Sequence, residues 1–310
     1  MGYVQFITEA NQEAGFGHLS RSLALAETIK QNGNGVCFHG FIEKDSEIMD
    51  LFETSGITFG TCQCKFKSIC SIIDVKNSIL AAEREIYSKK IIQLVDNDTA
   101  DFMASGYIKV SPVKKWKAFN KRALVKEFNY DPLVRDIYFY SQNIYEKRIP
   151  ELNPRVFISL GGNPNKNILR SIIDNLVRIN PRTQILLPKK YIEHGLFEFN
   201  NVFALDVKNF LQNYDEKISF AIVSAGVTMW EFLTLGFPIY ILATNKDQQF
   251  QYDTIKHKFN ISGLDISDTT DLSKISYDFE LLFKQPPTIV RKLTNKKHNY
   301  TEWLSANFFI

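Results

Sequence analysis

Apolar and polar positions along this chain switch repeatedly between a period of two and a period near 3.6. Tyr3-Val4-Gln5-Phe6-Ile7 has the length and alternation of a strand and runs through a glycine-containing turn into a segment of helix formers that ends at Asn32-Gly33-Asn34-Gly35. Val36-Cys37-Phe38-His39-Gly40-Phe41 reads as a second strand, and 45–54 has helical spacing with Ile48, Leu51 and Phe52 on one face. Residues 69–75 then predict a buried strand, 78–87 a helix and 91–95 another strand. Such alternation predicts a parallel sheet with helices on both faces.

Between 109 and 153 the pattern loosens, and Ile149-Pro150-Glu151-Leu152-Asn153-Pro154 carries the proline punctuation of a linker. The alternation then restarts. Val156-Phe157-Ile158-Ser159-Leu160 is a strand running straight into Gly161-Gly162-Asn163-Pro164, followed by an amphipathic helix over 168–179 and strands at 184–188, 202–205 and 219–223. Two domains are therefore expected, 1–150 and 151–310, with the tail from Pro286 onward forming a terminal helix that packs back on the first.

Composition narrows the class. At 310 residues, with 45% apolar and 23% charged residues, the chain suits a soluble globular protein of two ordinary domains. Its apolar runs are strand-sized, so no transmembrane segment is expected, and no basic stretch followed by an apolar run opens the chain, so the expected compartment is the cytoplasm. A net charge of +3 gives no argument for nucleic acid. Lys114-Lys115-Trp116-Lys117-Ala118-Phe119-Asn120-Lys121-Arg122 interleaves bases with aromatics, a pattern suited to weak contact with an anionic membrane surface; a solvated loop with its rings packed inward is the plainer reading. Cys62, Cys64 and Cys70 lack the spacing of a zinc framework, so no metal is expected and the cysteines read as reduced thiols.

Two glycine turns carry the candidate chemistry. In the first, Gly15 and Gly17 flank Phe16 and deliver His18 to the first turn of a helix, where free N–H groups favour anions and an imidazole can move a proton. Arg21 lies one turn further on, placed either to orient His18 or to reach a phosphate oxygen. In the second half, a strand ends at Ser224, and Ala225-Gly226-Val227-Thr228 turns into a helix whose positive end suits a diphosphate. Glu231 is placed to accept hydrogen bonds from ribose hydroxyls, and Asn245, Gln248 and Gln249 put amides at the next strand-to-helix turn.

Gly15-Phe16-Gly17-His18-Leu19-Ser20-Arg21-Ser22-Leu23-Ala24-Leu25-Ala26 resembles the N-terminal motif of the bacterial UDP-sugar hydrolases of pseudaminic acid biosynthesis, which release 2,4-diacetamido-2,4,6-trideoxy-L-altrose from UDP. Phe157-Ile158-Ser159-Leu160-Gly161-Gly162 is similar to that family's glycine loop, and 224–248 to its nucleotide-binding motif. The family is related to the MurG-type glycosyltransferases. The resemblance implies a GT-B-like α/β fold: two Rossmann-like, doubly wound parallel-sheet domains facing each other across a cleft. It also implies His18 as the base that activates water, and Gly15, Gly17, Arg21, Asp74, Gly161, Gly162, Asn163, Ser224, Ala225, Gly226, Val227, Thr228, Glu231, Asn245, Gln248 and Gln249 as substrate-binding residues. No cofactor and no metal are implied. The partner is a UDP-sugar, and the chain is expected to work as a monomer.

Three functions fit these residues. The leading one is hydrolysis of a UDP-linked acetamido sugar with inversion; the second is an inverting glycosyltransferase in which the same histidine deprotonates an acceptor hydroxyl; the third is a non-catalytic nucleotide-sugar-binding subunit.

Overall fold

The computed structural model describes residues 2–11, 16–43, 46–57, 59, 68–75, 86–96, 103–112, 118, 120–128, 132–136, 138, 153–161, 164–193, 200–206, 218–266, 273–284, 293 and 296–309. The chain divides into two compact units, one formed by Met1–Asp136 with Thr294–Ile310 and the other by Ile137–Leu293.

The first unit is built on a parallel sheet of six strands: β1 (Tyr3–Ala10), β2 (Gly35–Ile42), β3 (Ser68–Asp74), β4 (Ile91–Val95), β5 (Gly106–Lys109) and β6 (Leu124–Lys126). Their order is β2-β1-β3-β4-β5-β6, so the direction of winding reverses between β1 and β3. Central position explains the composition of β1, whose residues from Val4 to Ala10 are all buried. Helix α1 (Gly17–Gln31) follows β1, and α2 (Ser46–Ser55) follows β2. Leu19, Leu23, Ala24 and Ala26 of α1 pack with Val4, Phe6, Ile72, Ile92 and Ile108 of the sheet into one core.

The terminal segment completes this unit. Tyr300, Leu304 and Phe308, on and just after the last helix (His298–Asn307), join the same core. A Cβ on Gly106 would stand 2.6 Å from the Phe308 ring, so β5 needs a glycine at that approach. A buried charge cluster holds the start of the segment: Lys297, 1% exposed, pairs with Asp136 Oδ1 at 2.7 Å and Glu27 Oε2 at 3.3 Å. Glu27 also accepts from Arg135 Nε and from the Asp136 amide, and Gln31 donates to Asp136 at 2.7 Å. Burial of this kind is tolerable because each charge has an opposite partner.

The second unit repeats the plan with β7 (Arg155–Ser159), β8 (Gln184–Pro188), β9 (Val202–Leu205), β10 (Phe220–Ser224), β11 (Ile239–Ala243) and β12 (Ser262–Asp265), in the order β12-β11-β10-β7-β8-β9 and again all parallel. Its winding reverses between β7 and β10. The helices are α3 (Lys166–Ile179), α4 (Lys189–Glu193), α5 (Val227–Leu235), α6 (Lys246–Phe259) and α7 (Ser273–Lys284); the terminal helix of the first unit is α8. Asn165 caps α3 by accepting from the Asn167 and Ile168 amides, and Leu169, Ile172, Ile173 and Leu176 form the face that meets Val156, Ile158 and Ile222.

Several expectations fall on undescribed residues: the helix at 78–87 in all but its last two residues, Cys62, Cys64, and Lys114 to Lys117 with Phe119. Cys70 is a free buried thiol, and burial pushes it up to about 12. Cys37 is disulfide-bonded, which corrects the reading of the cysteines as reduced thiols. No helix among the described residues is long and apolar enough to cross a membrane.

Candidate functional site

In an open parallel sheet, side chains converge at the carboxyl ends of the strands where the winding reverses. In the first unit that point lies between β1 and β3, with Thr8 opposite Asp74 in the ladder. Helix α1 follows β1 and begins at Gly17, and Phe16 before it packs against the core. Positions 18, 21 and 22 share one face of that helix, three and four residues apart. They meet Asp74, the last residue of β3.

His18 Nδ1 lies 2.7 Å from Asp74 Oδ1. Arg21 grips the same carboxylate with two nitrogens, Nε to Oδ2 at 2.7 Å and Nη2 to Oδ1 at 2.5 Å, and Ser22 Oγ donates to Oδ2 at 3.1 Å. The remaining nitrogen, Nη1, donates at 2.5 Å to Asp96, which follows β4. Asp74 and Arg21 are 1% and 6% exposed and His18 is 8% exposed, so the charges compensate one another away from solvent. Burial opposes ionisation of Asp74, but the Arg21 guanidinium, with His18 beside it, overrides burial and holds the carboxyl down at about 2. Asp96 is held below its ordinary value as well: burial raises it, and Arg21 more than offsets that. Burial likewise disfavours the charge on Arg21, and the two carboxylates outweigh it, keeping the guanidinium protonated.

This bonding bears on which imidazole nitrogen carries the proton. A carboxylate that stays ionised 2.7 Å from Nδ1 favours a proton on that ring nitrogen, because two lone pairs at that distance repel. In a neutral ring protonated at Nδ1, Nε2 is the bare nitrogen, the one able to take a proton. All three nitrogens of Arg21 contact carboxylates, and Nη2 also lies 2.8 Å from His18 Nδ1.

In the second unit the winding reverses between β7 and β10, and the two turns that follow them stand side by side. Gly161 has φ +96°, a left-handed conformation that favours glycine, and a Cβ there would lie 3.8 Å from Ser224 Oγ. Tyr191, at the start of α4, braces this turn: its hydroxyl accepts from Leu160 N at 3.2 Å and donates to the Gly161 carbonyl. Ser224 and Ala225 are buried, Gly226 has extended backbone with no atom of the described residues, its chain neighbours aside, within 4 Å of where a Cβ would stand, and no described side chain caps α5. Val227 and Thr228 are half-buried at the helix start, and Glu231 is buried one turn in. The first amides of α5 thus lie at the positive end of a helix with no side-chain cap among the described residues.

At the turn after β11, Asn245 Oδ1 accepts from Gln248 N at 2.9 Å, and Gln248 Oε1 accepts from Thr244 N and Oγ1 at 2.8 and 2.9 Å. Both carbonyl oxygens thus build the turn itself, which leaves the amide NH2 groups as the donors available to a ligand; Gln249 is half-buried beside them. Gly15, Gly162 and Asn163 lie outside the described residues. Asp96 and Tyr191 escaped the sequence reading. Asp96 has a signal in retrospect, an acidic residue directly after a buried apolar strand; Tyr191 has none. Among the described residues no group of three or more His, Cys, Asp or Glu is placed to hold a metal ion.

No protein-family model matches the chain. Uncharacterized protein MJ1062 of Methanocaldococcus jannaschii is 23% identical over 295 residues, covering 84% of this chain and 60% of that protein, so the chain spans about three-fifths of the length of the curated relative it matches. Among solved structures, Acinetobacter baumannii MurG superposes with a TM-score of 0.56 at 13% identity, covering 99% of this chain and 100% of that one. The fold is GT-B. S. aureus MnaA in complex with UDP is similar at a TM-score of 0.57 and 8% identity, over 99% and 96% of the two chains. The UDP-GlcNAc 2-epimerase of Neisseria meningitidis bound to UDP-GlcNAc follows at 0.55 and 13%, over 99% and 100%. At such identities the likeness establishes the pair of Rossmann-like domains, and the chemistry has to be argued from this chain's own residues.

Proposed function

We propose that this GT-B chain hydrolyses a UDP-linked acetamido sugar at the anomeric C–O bond, releasing UDP and the free sugar with inversion, in the biosynthesis of a nonulosonic acid or of a surface polysaccharide. The observation that carries the reading is the buried His18–Asp74 pair at the first reversal point, in which the carboxylate favours a proton on Nδ1 and so a bare Nε2 as proton acceptor. The sequence resemblance to the pseudaminic acid hydrolases supports it, as do fold relatives seen with UDP and UDP-GlcNAc.

In this reaction His18 Nε2 removes a proton from water as the water oxygen bonds to the anomeric carbon. The bond from that carbon to the diphosphate oxygen breaks, its electron pair leaves with UDP, and the imidazolium is stabilised by Asp74. The second unit supplies nucleotide binding: the uncapped start of α5 meets the diphosphate charge, and Glu231 the ribose. Asp74 and Arg21 are positioning residues for His18.

The test is UDP release from a panel of UDP-N-acetylated sugars without any acceptor. Steady release is expected, and His18→Ala should reduce it by about 10²- to 10⁴-fold while UDP still binds. A fully active His18→Ala protein removes the proposed base. Release that requires a glycan or lipid-linked hydroxyl makes the chain a transferase, and an isomerised UDP-sugar makes it an epimerase; either result overturns hydrolysis.

A further inference from the structure

The arrangement around His18 contains a competition that Asp74 alone does not resolve. Arg21 Nη2 lies 2.8 Å from His18 Nδ1 and 2.5 Å from Asp74 Oδ1. An Nη2 proton therefore has two acceptors within reach. If it goes to the carboxylate, Nδ1 keeps its own proton and Nε2 is bare; if it goes to a bare Nδ1, the ring proton moves to Nε2 and the nitrogen needed as a base is blocked. The outcome depends on how the guanidinium plane is held and on how much of Asp74's charge Arg21 neutralises.

Asp96 acts on both. It accepts from Nη1, the one guanidinium nitrogen that does not contact Asp74, and so anchors Arg21 from outside the Arg21–Asp74 pair. Its own main chain is tied at the end of β4, where its carbonyl accepts from Ser111 Oγ at 3.2 Å. Two carboxylates then face one guanidinium, which leaves one net negative charge in the cluster beside the imidazole. That surplus keeps Asp74 a strong acceptor for Nδ1–H, and it is neutralised when His18 takes up a proton.

We infer that Asp96 is a positioning residue that selects, through Arg21, the His18 tautomer with a bare Nε2. The inference rests on the proposed use of His18 as a base, but its main readout needs no substrate. Full-length protein labelled with [15N]histidine would be compared with Asp96→Asn at pH 8, with the His18 resonances assigned by their absence from His18→Ala. Wild type should show a protonated Nδ1 and an unprotonated Nε2. Asp96→Asn should show a shift toward the Nε2–H form, and Asp96→Glu, which keeps the charge, should restore the wild-type signature. Asp96 is a near-isosteric site for asparagine with a partly exposed side chain, and an unchanged melting profile would show that the variant folds. On a turned-over UDP-sugar, kcat should fall about 10- to 100-fold with KM and UDP affinity unchanged. An Asp96→Asn spectrum identical to wild type overturns the inference whatever the activity. A wild type inert toward every UDP-sugar, with the tautomer shift present, overturns the proposed function and leaves this inference standing.

Discussion

The two reversal points of this molecule share a backbone plan and differ in what occupies it. Each has a strand, a turn and a helix start beside the end of a neighbouring strand. In the first unit the space is filled by an imidazole, a guanidinium and two carboxylates in direct contact. In the second it holds Ser224, Ala225 and Gly226 with no charge in the first turn of α5, and the place where a Cβ of Gly226 would stand is open. One plan thus yields a site whose charges are already mutually satisfied and another whose helix start carries no side-chain cap among the described residues. Proton handling needs the first and anion binding needs the second.

Removing a member of the filled site is the strongest way to break this contrast. Asp74→Ala strips Arg21 of two of its three hydrogen bonds to carboxylates and removes the carboxylate facing His18 Nδ1. Loss of one partner from a buried ion pair costs about 3–5 kcal/mol, and urea unfolding of the variant should show a fall of that size. A loss below about 1 kcal/mol would mean that the cluster contributes little to holding α1 against β3.

Acid should act on the same contacts without a substitution. Asp74 ionises at about 2 in the folded chain against an ordinary 3.8, because Arg21 and His18 outweigh its burial. A carboxyl whose folded value is depressed stabilises the fold above its unfolded value and loses that contribution as pH falls through the folded one. The difference corresponds to about 2 kcal/mol, fully present above pH 4 and lost toward pH 2, and the lowered Asp96 adds in the same direction. Unfolding free energies measured from pH 5 to pH 2 should decline accordingly, and less steeply in Asp74→Asn. Parallel curves for the two proteins would rule out Asp74 as the group responsible.

Most of the fold was readable because parallel strands buried on both faces leave unbroken apolar runs. The reading of β4, β8 and β9 matches the structure residue for residue, and β1, β2, β3, β7 and β10 differ only at their ends. The misses have physical causes. β5 and β6 are four and three residues long within a stretch of mixed charge, and β12 is Ser-Gly-Leu-Asp, with one apolar residue and no alternation to detect. For the site, His18 and Arg21 stand out from the glycine turn and helix spacing, whereas their meeting with Asp74, 56 residues from His18, depends on β3 pairing beside β1. Asp96 requires a further strand in register beyond that. Partnerships set by sheet order leave no local trace, and the Tyr191 brace on Gly161 belongs to the same class.

The mildest change tests the open site. Gly226 has an extended backbone and an empty Cβ position, so Gly226→Ala should fold as wild type, with a stability change within about 0.5 kcal/mol, unlike any substitution in the first unit's cluster. Yet the added methyl would sit at the N-cap of α5, where, on the proposed reading, an anion approaches closely. UDP affinity measured by calorimetry should therefore drop about tenfold, equivalent to about 1.4 kcal/mol, with the unfolding curve unmoved. Unchanged affinity would show that the diphosphate is held elsewhere and that the open turn is an accident of packing. A destabilised protein would show instead that the open position is needed by the fold, and the contrast between the two reversal points would then be one of packing and not of ligand.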